Sequence, residues 1–487
     1  MRTRAEYHHG VIDETAELCR KQRIVIPTIA QMKDPAKIPG SVRNSLADVG
    51  LWDLHPANLF RISWKNEPVS RGGGFNLGNW IEFPSALTGV PGRIIGLCGK
   101  YFPTGSHKVG AAFGCLVPRL VSGEVDSTTQ KFVWPSTGNF CRGGAFVSAL
   151  LGCKAVAILP EGMSSERFDW LRSIGAEIIA TPGSESNVKE IYDKCWEIRR
   201  SQPDYVILNQ FEELGNAVWH YHVTGSMIEE LCERIGGRRH NLAAYVSATG
   251  SAGTIAAGDY LRTIGSDVKV AAVEALQCPT LLRCGFGEHR IEGIGDKHIP
   301  WIHNVRNTDV VVAVDDAHCL SLMRLFNEEI GRDFLASQDV PQQTIGSLEL
   351  LGISSICNLI ASIKVARYFE LGPEDLLFTP LTDSMELYAS RLEEQRTLCG
   401  EYTERDAARD HAQCLKGVAI DNMRELGYYD RKALHNLKYF TWVEQQGRTA
   451  DELHRLWHPE FWTQAFNQAA EWDRQIDDLN QRVGILG

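Results

Sequence analysis

Short apolar runs alternate with longer segments of helical periodicity between residues 76 and 392. The runs are typical of buried strands and occur at residues 94–98, 131–135, 154–160, 176–182, 205–211, 242–248, 268–275 and 375–380. Helical spacing indicates helices at residues 109–116, 142–151, 164–174, 185–201, 216–235, 320–330 and 353–371. This alternation predicts an α/β fold in which helices cover parallel sheets. Ligands of such sheets bind at the carboxyl ends of the strands, so we expect the chemistry in the loops that follow them.

The two ends of the chain break this pattern. Residues 1–75 hold several prolines and a run of three glycines, which indicates an N-terminal extension with short helices. Residues 393–487 show helical spacing and no strand pattern, which predicts a helical C-terminal extension. Its large apolar residues, among them Leu453, Trp462 and Phe466, need a surface that covers them. They either complete the hydrophobic core of their own subunit or pack across a homodimer and wall the active-site entrance.

Composition narrows the classes of function. A chain of 487 residues is too long for one core and favours two domains, while a net charge of −11 argues against nucleic-acid binding. The thirteen cysteines form no CxxC pair, which argues against a zinc site or a disulfide framework and indicates free thiols in a reducing compartment. We see no signal-peptide core and no apolar run long enough for a membrane span. The sequence therefore predicts a cytoplasmic protein with no metal, nucleic-acid or membrane partner.

Lys108 lies at a predicted strand-to-helix junction, in the stretch PTGSHKVGAAF at residues 103–113. A lysine in this position can reach into a cleft, lose its proton there and condense with an aldehyde. A solvated surface lysine near a helix start shows the same local pattern. The significance of Lys108 therefore depends on the loops that accompany it.

Three further loops follow predicted strands. Ser136-Thr137-Gly138-Asn139 places hydroxyls and backbone N–H groups at a helix start, which suits a carboxylate, and the Asn139 amide can donate to a phenolic oxygen. The glycines and small residues of TGSAGT, at 249–254, let backbone amides surround a phosphate. Thr382-Asp383-Ser384 can direct a hydroxyl at a heterocycle nitrogen. Each loop taken alone also fits an ordinary helix cap or tight turn.

Together, these four stretches resemble the fold-type II pyridoxal-phosphate enzymes, specifically the cysteine synthase and cystathionine β-synthase branch. Five more segments are similar to that branch and occur in its order: LNQFEELGN (208–216), HYHVTG (220–225), EGIGDKHIP (292–300), LGISSICNLIASIKVA (351–366) and LTDSMELY (381–388). The sequence departs from the branch at Phe140, where a threonine usually helps to hold the substrate carboxylate. It departs again at Ala252, which replaces a usual glycine.

The resemblance implies a site and a domain division. Lys108 would form the Schiff base with pyridoxal 5′-phosphate. The other cofactor-binding residues would be Asn139, the phosphate cup Gly250, Ser251, Ala252, Gly253 and Thr254, and Ser384 opposite the pyridine nitrogen. The substrate would be bound by Ser136, Thr137, Gly138, Asn139 and Gln210. Residues 76–102 and 221–392 would form a large cofactor-binding domain, and residues 103–220 a small mobile substrate domain.

The implied activity is β-elimination or β-replacement on a small L-amino acid, through an aminoacrylate, by a homodimeric cysteine synthase-like lyase or transferase. A neutral Ser384 hydroxyl at the ring nitrogen suits this chemistry better than transamination, although Asp383 or Thr382 are alternatives for that position. A serine or threonine dehydratase, or another ammonia-lyase, is the alternative activity. A non-catalytic scaffold is disfavoured because both the lysine and the phosphate cup are present.

Overall fold

The strands of this protein form two β-sheets. The computed structural model describes residues 4–67, 69–136, 138–163, 165–183, 188–236, 241–265 and 267–485. In chain order the strands are β1 (Trp80–Phe83), β2 (Arg93–Cys98), β3 (Lys131–Pro135), β4 (Lys154–Pro160), β5 (Glu177–Thr181), β6 (Tyr205–Ile207), β7 (Asn241–Ala248), β8 (Lys269–Ala275), β9 (Val310–Val314), β10 (Asp375–Leu381) and β11 (Met423–Glu425).

The larger sheet has the order β1-β2-β10-β7-β8-β9-β11, and the smaller sheet has the order β5-β4-β3-β6. All pairings in the smaller sheet are parallel, as are those from β2 to β9 in the larger sheet. The edge strands β1 and β11 pair antiparallel with β2 and β9. The prediction of parallel sheets covered by helices is confirmed, with two antiparallel edges that the pattern did not indicate.

Helices precede, connect and follow these strands. The α-helices are α1 (Arg4–Gln22), α2 (Ile29–Lys33), α3 (Gly40–Ser45), α4 (Ser85–Thr88), α5 (Lys108–Val121), α6 (Asn139–Leu150), α7 (Ser165–Ser173), α8 (Val188–Ser201), α9 (Leu214–Trp219), α10 (Gly225–Gly236), α11 (Ala256–Ile264), α12 (Thr280–Arg283), α13 (Asp316–Asn327), α14 (Glu329–Ser337), α15 (Gln342–Ser347), α16 (Ile353–Tyr368), α17 (Ala389–Cys399), α18 (Glu404–His411), α19 (Tyr428–Lys438), α20 (Ala450–Arg455) and α21 (Pro459–Val483). A π-helical turn, His220–Thr224, joins α9 to α10 into one continuous rod.

Several elements differ from the sequence prediction. Strand β9 is buried within the larger sheet, and the strands predicted from the sequence did not include it. Helix α1 is much longer than the short helices expected near the N-terminus. The C-terminal extension was expected to lack strands, yet it supplies β11. This three-residue strand has no apolar pattern of its own. Its place in the sheet comes from its pairing with β9, so no local sequence pattern indicated it.

The C-terminal extension packs against its own chain. Trp462, Phe466 and Trp472 of α21 are buried in the core shared with α5, α6 and α9. The Phe466 ring stacks on Tyr221 with ring centres 3.9 Å apart. The Asp473 carboxylate accepts hydrogen bonds from the amides of residues 29 and 30 at the start of α2. Of the two alternatives for these aromatic residues, completion of the subunit's own core is the one observed, so their burial does not require a dimer.

The carboxyl ends of β2, β7 and β10 in the larger sheet and of β3 and β6 in the smaller sheet lead into the loops singled out from the sequence. The two sheets thus bring distant segments to one place, as parallel α/β architecture requires. In the described part of the chain no helix is both long and apolar enough to cross a membrane. All thirteen cysteines are free thiols, and most of them are buried.

Candidate active site

Lys108 is the first residue of α5, and its amine lies between loops of the two sheets. Its Nζ donates to Gln210 Oε1 at 3.2 Å and to Ser251 Oγ at 3.1 Å. Gln210 follows β6 of the smaller sheet, whereas Ser251 follows β7 of the larger sheet. The amine therefore lies at the point where the carboxyl ends of both sheets face each other, and its side chain is only partly exposed.

The loop at residues 249–254 closes tightly around Asn216, which lies on α9. Asn216 Nδ2 donates to Ser251 Oγ and to the Gln210 carbonyl, both at 3.0 Å. A Cβ on Gly253 would stand 2.0 Å from Asn216 Oδ1, so this position has room only for glycine. Ala252 adopts a left-handed backbone with φ of 62°, which is unusual for a residue with a side chain and which turns the chain sharply here.

This turn leaves the backbone amides of residues 251–254 without a hydrogen-bond acceptor among the described residues. The amides lie at the start of the helical segment Gly253–Ile255, which continues into α11. Consecutive N–H groups at a helix start form a cradle for an anion, assisted by the helix dipole. The hydroxyl of Thr254 is held by Ser247 Oγ at 2.6 Å and does not fill the cradle.

Asn139 is the first residue of α6 and reaches the segment that follows β10. Its Nδ2 lies 2.6 Å from Asp383 Oδ2, while its Oδ1 is buried with no partner among the described residues. The Tyr388 hydroxyl also donates to Asp383 Oδ2, at 2.7 Å. Burial raises the pKa of Asp383 above its usual value. Ser384 lies next in the chain and is buried as well.

The remaining predicted substrate residues surround the start of α6. Ser136 Oγ accepts hydrogen bonds from the Gly138 amide at 3.1 Å and from Gln210 Nε2 at 3.3 Å. Gln210 thereby connects this loop to Lys108. Thr137 lies outside the described residues. The four stretches selected from the sequence are thus joined by a chain of side-chain contacts in space, although up to 244 residues separate the bonded pairs.

Phe140, the departure from the branch pattern, lies in the hydrophobic core. It is 1% exposed, and its ring packs edge-on against Trp134 with centres 5.4 Å apart. A phenylalanine here supplies packing where a hydroxyl would supply a hydrogen bond.

Asp296 is a site residue that the motifs did not single out, although it lies within the segment EGIGDKHIP. It is buried, and its Oδ2 has no partner among the described residues. Burial raises the pKa of Asp296 to about 7, while the nearby charge of Lys108 opposes the rise. Its carboxyl group therefore titrates near neutral pH beside the candidate catalytic lysine.

Asp296→Asn should make the protein more stable at pH 8 and leave its stability unchanged at pH 4. The unfolded carboxyl ionises near pH 4, whereas the folded one keeps its proton to about pH 7, so this group lowers wild-type stability progressively as pH rises from 4 to 7. A shift of about three units corresponds to a gain on the order of 4 kcal/mol for the asparagine variant at pH 8. Urea unfolding of wild type and variant at pH 4 and pH 8 measures the difference in unfolding free energy. An equal difference at both pH values would contradict the raised pKa of Asp296.

The arrangement fits pyridoxal phosphate. The anion cradle at residues 251–254 suits the phosphate, the Lys108 amine is within reach of that cradle, and the buried Asn139 Oδ1 and Asp383 Oδ1 have polar capacity that no described residue uses. Ser384 is buried and lies just beyond the carboxyl end of β10.

Comparisons with known proteins agree with this geometry. Residues 87–333, just over half of the chain, match the family described as "Pyridoxal-phosphate dependent enzyme". Cysteine synthase B of Campylobacter jejuni is 29% identical over 299 residues, which cover 61% of this chain and 90% of that protein.

Two solved structures are also similar. An O-acetylserine dependent cystathionine beta-synthase from Helicobacter pylori has a TM-score of 0.54 at 25% identity, covering 64% of this chain and 94% of that one. A hydrogen sulfide-producing enzyme from Fusobacterium nucleatum has a TM-score of 0.53 at 26% identity, covering 69% of this chain and 92% of that one. With its fold, its lysine and its anion cradle, this chain belongs to the family of pyridoxal-phosphate dependent enzymes.

Proposed function

We propose that this protein catalyses β-replacement on a small L-amino acid, as a cysteine synthase does, with β-elimination as the partial reaction. The observation that carries the proposal is the position of the Lys108 amine, bonded to Ser251 of the anion cradle while Gln210 connects it to the start of α6. In this proposal the amine accepts a proton between the phosphate site and the carboxylate site. The cysteine synthase and O-acetylserine dependent relatives support this class of reaction.

Each part of the site has a role in this proposal. Pyridoxal phosphate, when bound, withdraws electrons from the substrate's α-carbon. The amides of Gly250, Ser251, Ala252, Gly253 and Thr254 hold the phosphate. Lys108 would hold the cofactor in the resting enzyme, and its amine would take the α-proton of the substrate as general base. Ser251 and Gln210 keep its amine beside the α-carbon.

Ser384 is the proposed partner of the pyridine nitrogen. Asp383 was the alternative, but its Oδ2 is engaged by both Asn139 and Tyr388. A serine hydroxyl at that position would not keep the ring nitrogen protonated, so the cofactor would be a weaker electron sink than with a carboxylate partner. That suits loss of a β-substituent better than transamination.

The substrate carboxylate is proposed to bind at the N-terminus of α6. Ser136, Thr137, Gly138 and Asn139 supply hydroxyl, amide and backbone donors there, and Gln210 adds its side-chain amide. Residue 140 is a phenylalanine packed in the core, so this loop lacks the additional hydroxyl expected of the branch. The carboxylate therefore depends on other donors.

We extend the proposal to the organisation of the protein. Residues 76–102 and 221–392 form the cofactor-binding domain, residues 103–220 move as a substrate domain, and the enzyme acts as a homodimer in the cytoplasm. The placement of β3 to β6 within residues 103–220 supports the domain division, and the free, mostly buried cysteines support a reducing compartment.

The purified protein should be yellow and should change its absorption spectrum when a β-substituted amino acid is added. O-acetylserine, serine, cysteine and threonine are added in turn, with and without sulfide, and cysteine, sulfide and keto acids are quantified. Cysteine formed from O-acetylserine and sulfide is the expected result. Keto acid and ammonia from serine or threonine alone would assign the ammonia-lyase alternative. A colourless protein that turns over none of these amino acids would support the alternative of a non-catalytic scaffold.

A further inference from the structure

A buried arginine lies beside the proposed substrate loop without a role in the chemistry described so far. Arg142 lies on α6, one turn beyond Asn139, and is 2% exposed. Its guanidinium carbon is 5.2 Å from the centre of the Trp52 ring and 5.0 Å from that of Trp170. The two indoles themselves meet edge-on at 5.7 Å. Cation–π contacts with both rings hold the guanidinium in place.

No described residue accepts a hydrogen bond from this guanidinium or forms an ion pair with it, and its Nε is completely buried. The Asp383 carboxylate acts on it only through space. Arg167, by contrast, lies 3.1 Å from Glu292 and 3.2 Å from the Tyr388 hydroxyl. Burial and the charge of Arg167 lower the pKa of Arg142 to about 10, so it remains a cation at neutral pH.

A buried cation whose N–H groups meet no acceptor among the described residues destabilises a folded protein, so its presence indicates a ligand that supplies an acceptor. The surroundings indicate where that ligand lies. The Trp52 ring is within 3.1 Å of the position that a Cβ on Gly105 would take, and Gly105 belongs to the lysine loop. Gly143, the neighbour of Arg142, packs against the backbone of Lys108 in the same way, at 3.0 Å. Through Trp52 and Gly143, the neighbours of Arg142 thus contact the lysine loop.

We propose that Arg142, held against Trp52 and Trp170, binds an anionic group of the amino-acid substrate, a carboxylate or a phosphate. The inference rests on the proposed function, and it assigns the N-terminal extension a part in the site through Trp52. The planar fork of arginine suits bidentate binding of either group. The anion is either the substrate's α-carboxylate, for which Phe140 provides no hydroxyl, or a second acidic group on its side chain.

The test compares wild-type holoenzyme with Arg142→Gln and Arg142→Lys. Calorimetry measures the binding of three amino acids. The side chain of L-alanine carries no anion, that of L-aspartate carries a carboxylate, and that of O-phospho-L-serine carries a phosphate. Arg142→Gln should weaken binding by about 10- to 100-fold, with Arg142→Lys in between. Loss for all three ligands identifies the α-carboxylate, and loss for the acidic two alone identifies a side-chain anion. Arg172→Gln, an exposed arginine on α7, is the matched control.

Equal affinities of wild type and Arg142→Gln for all three ligands would overturn the proposal, as would a wild type that binds none of them. Binding is measured apart from turnover, so the two proposals can fail separately. Arginine-dependent binding without turnover would refute only the β-replacement activity, whereas turnover with unchanged affinity would refute only the role of Arg142. The cofactor absorbance of each variant verifies its fold. If Arg142→Gln loses the cofactor, Arg142→Lys and Trp52→Leu test the proposal in its place, because both should still weaken binding of the amino acids.

Discussion

Lys108→Ala should reduce turnover by at least about 1000-fold, because one amine is assigned both the attachment of the cofactor and the transfer of the α-proton. The amine already lies at the strand ends of both sheets, hydrogen-bonded to Gln210 and Ser251. The variant should fold normally, since Lys108 is only partly buried. Steady-state rates with the donor found for the wild type measure the effect.

Borohydride reduction provides an independent readout. In the wild type, peptide mass spectrometry should find the mass of the reduced cofactor on the peptide that contains Lys108, and this mass should be absent from the variant. Lys154→Ala is the matched control, because Lys154 is an exposed lysine at the start of β4. Wild-type turnover by Lys108→Ala, or cofactor attached to another lysine, would refute the assignment of the site.

Gly253→Asp should lose the cofactor while the fold is kept. The new Cβ would stand 2.0 Å from Asn216 Oδ1, and Asn216 is held in place by its bonds to Ser251 and the Gln210 carbonyl. The added carboxylate also repels the phosphate dianion. Each charge-assisted bond lost contributes about 1.5–3 kcal/mol, so the loss of two weakens cofactor binding by roughly 100-fold or more.

Equilibrium dialysis against pyridoxal phosphate measures this loss, and near-ultraviolet circular dichroism verifies the fold. Gly253→Ala separates the steric effect from the charge. Gly346→Asp is the matched control, because a Cβ at Gly346 meets open space. Ala252→Gly should retain the cofactor, since glycine adopts the left-handed backbone of this position without strain. Unchanged occupancy in Gly253→Asp would place the phosphate elsewhere.

The sequence by itself determined the central α/β architecture. Strands β3 and β4 begin and end where the apolar runs predicted, because a strand buried on both faces must be apolar along its whole length. The same physics made Lys108, the 249–254 loop and the 136–139 loop identifiable, since ligands of parallel sheets bind at strand ends. The family resemblance then supplied the cofactor, which the family match confirmed.

Other features depended on contacts between distant segments, which no local pattern encodes. Strand β11 exists only through its pairing with β9, and the aromatic residues of α21 are buried by helices of their own chain. Asn139 meets Asp383 across 244 positions, and this contact is what favours Ser384 as the partner of the ring nitrogen. Arg142 looked like any helix arginine in the sequence. Only the tertiary structure buries it against Trp52 and Trp170, and this removal from solvent, without a hydrogen-bond acceptor among the described residues, gives the residue its significance.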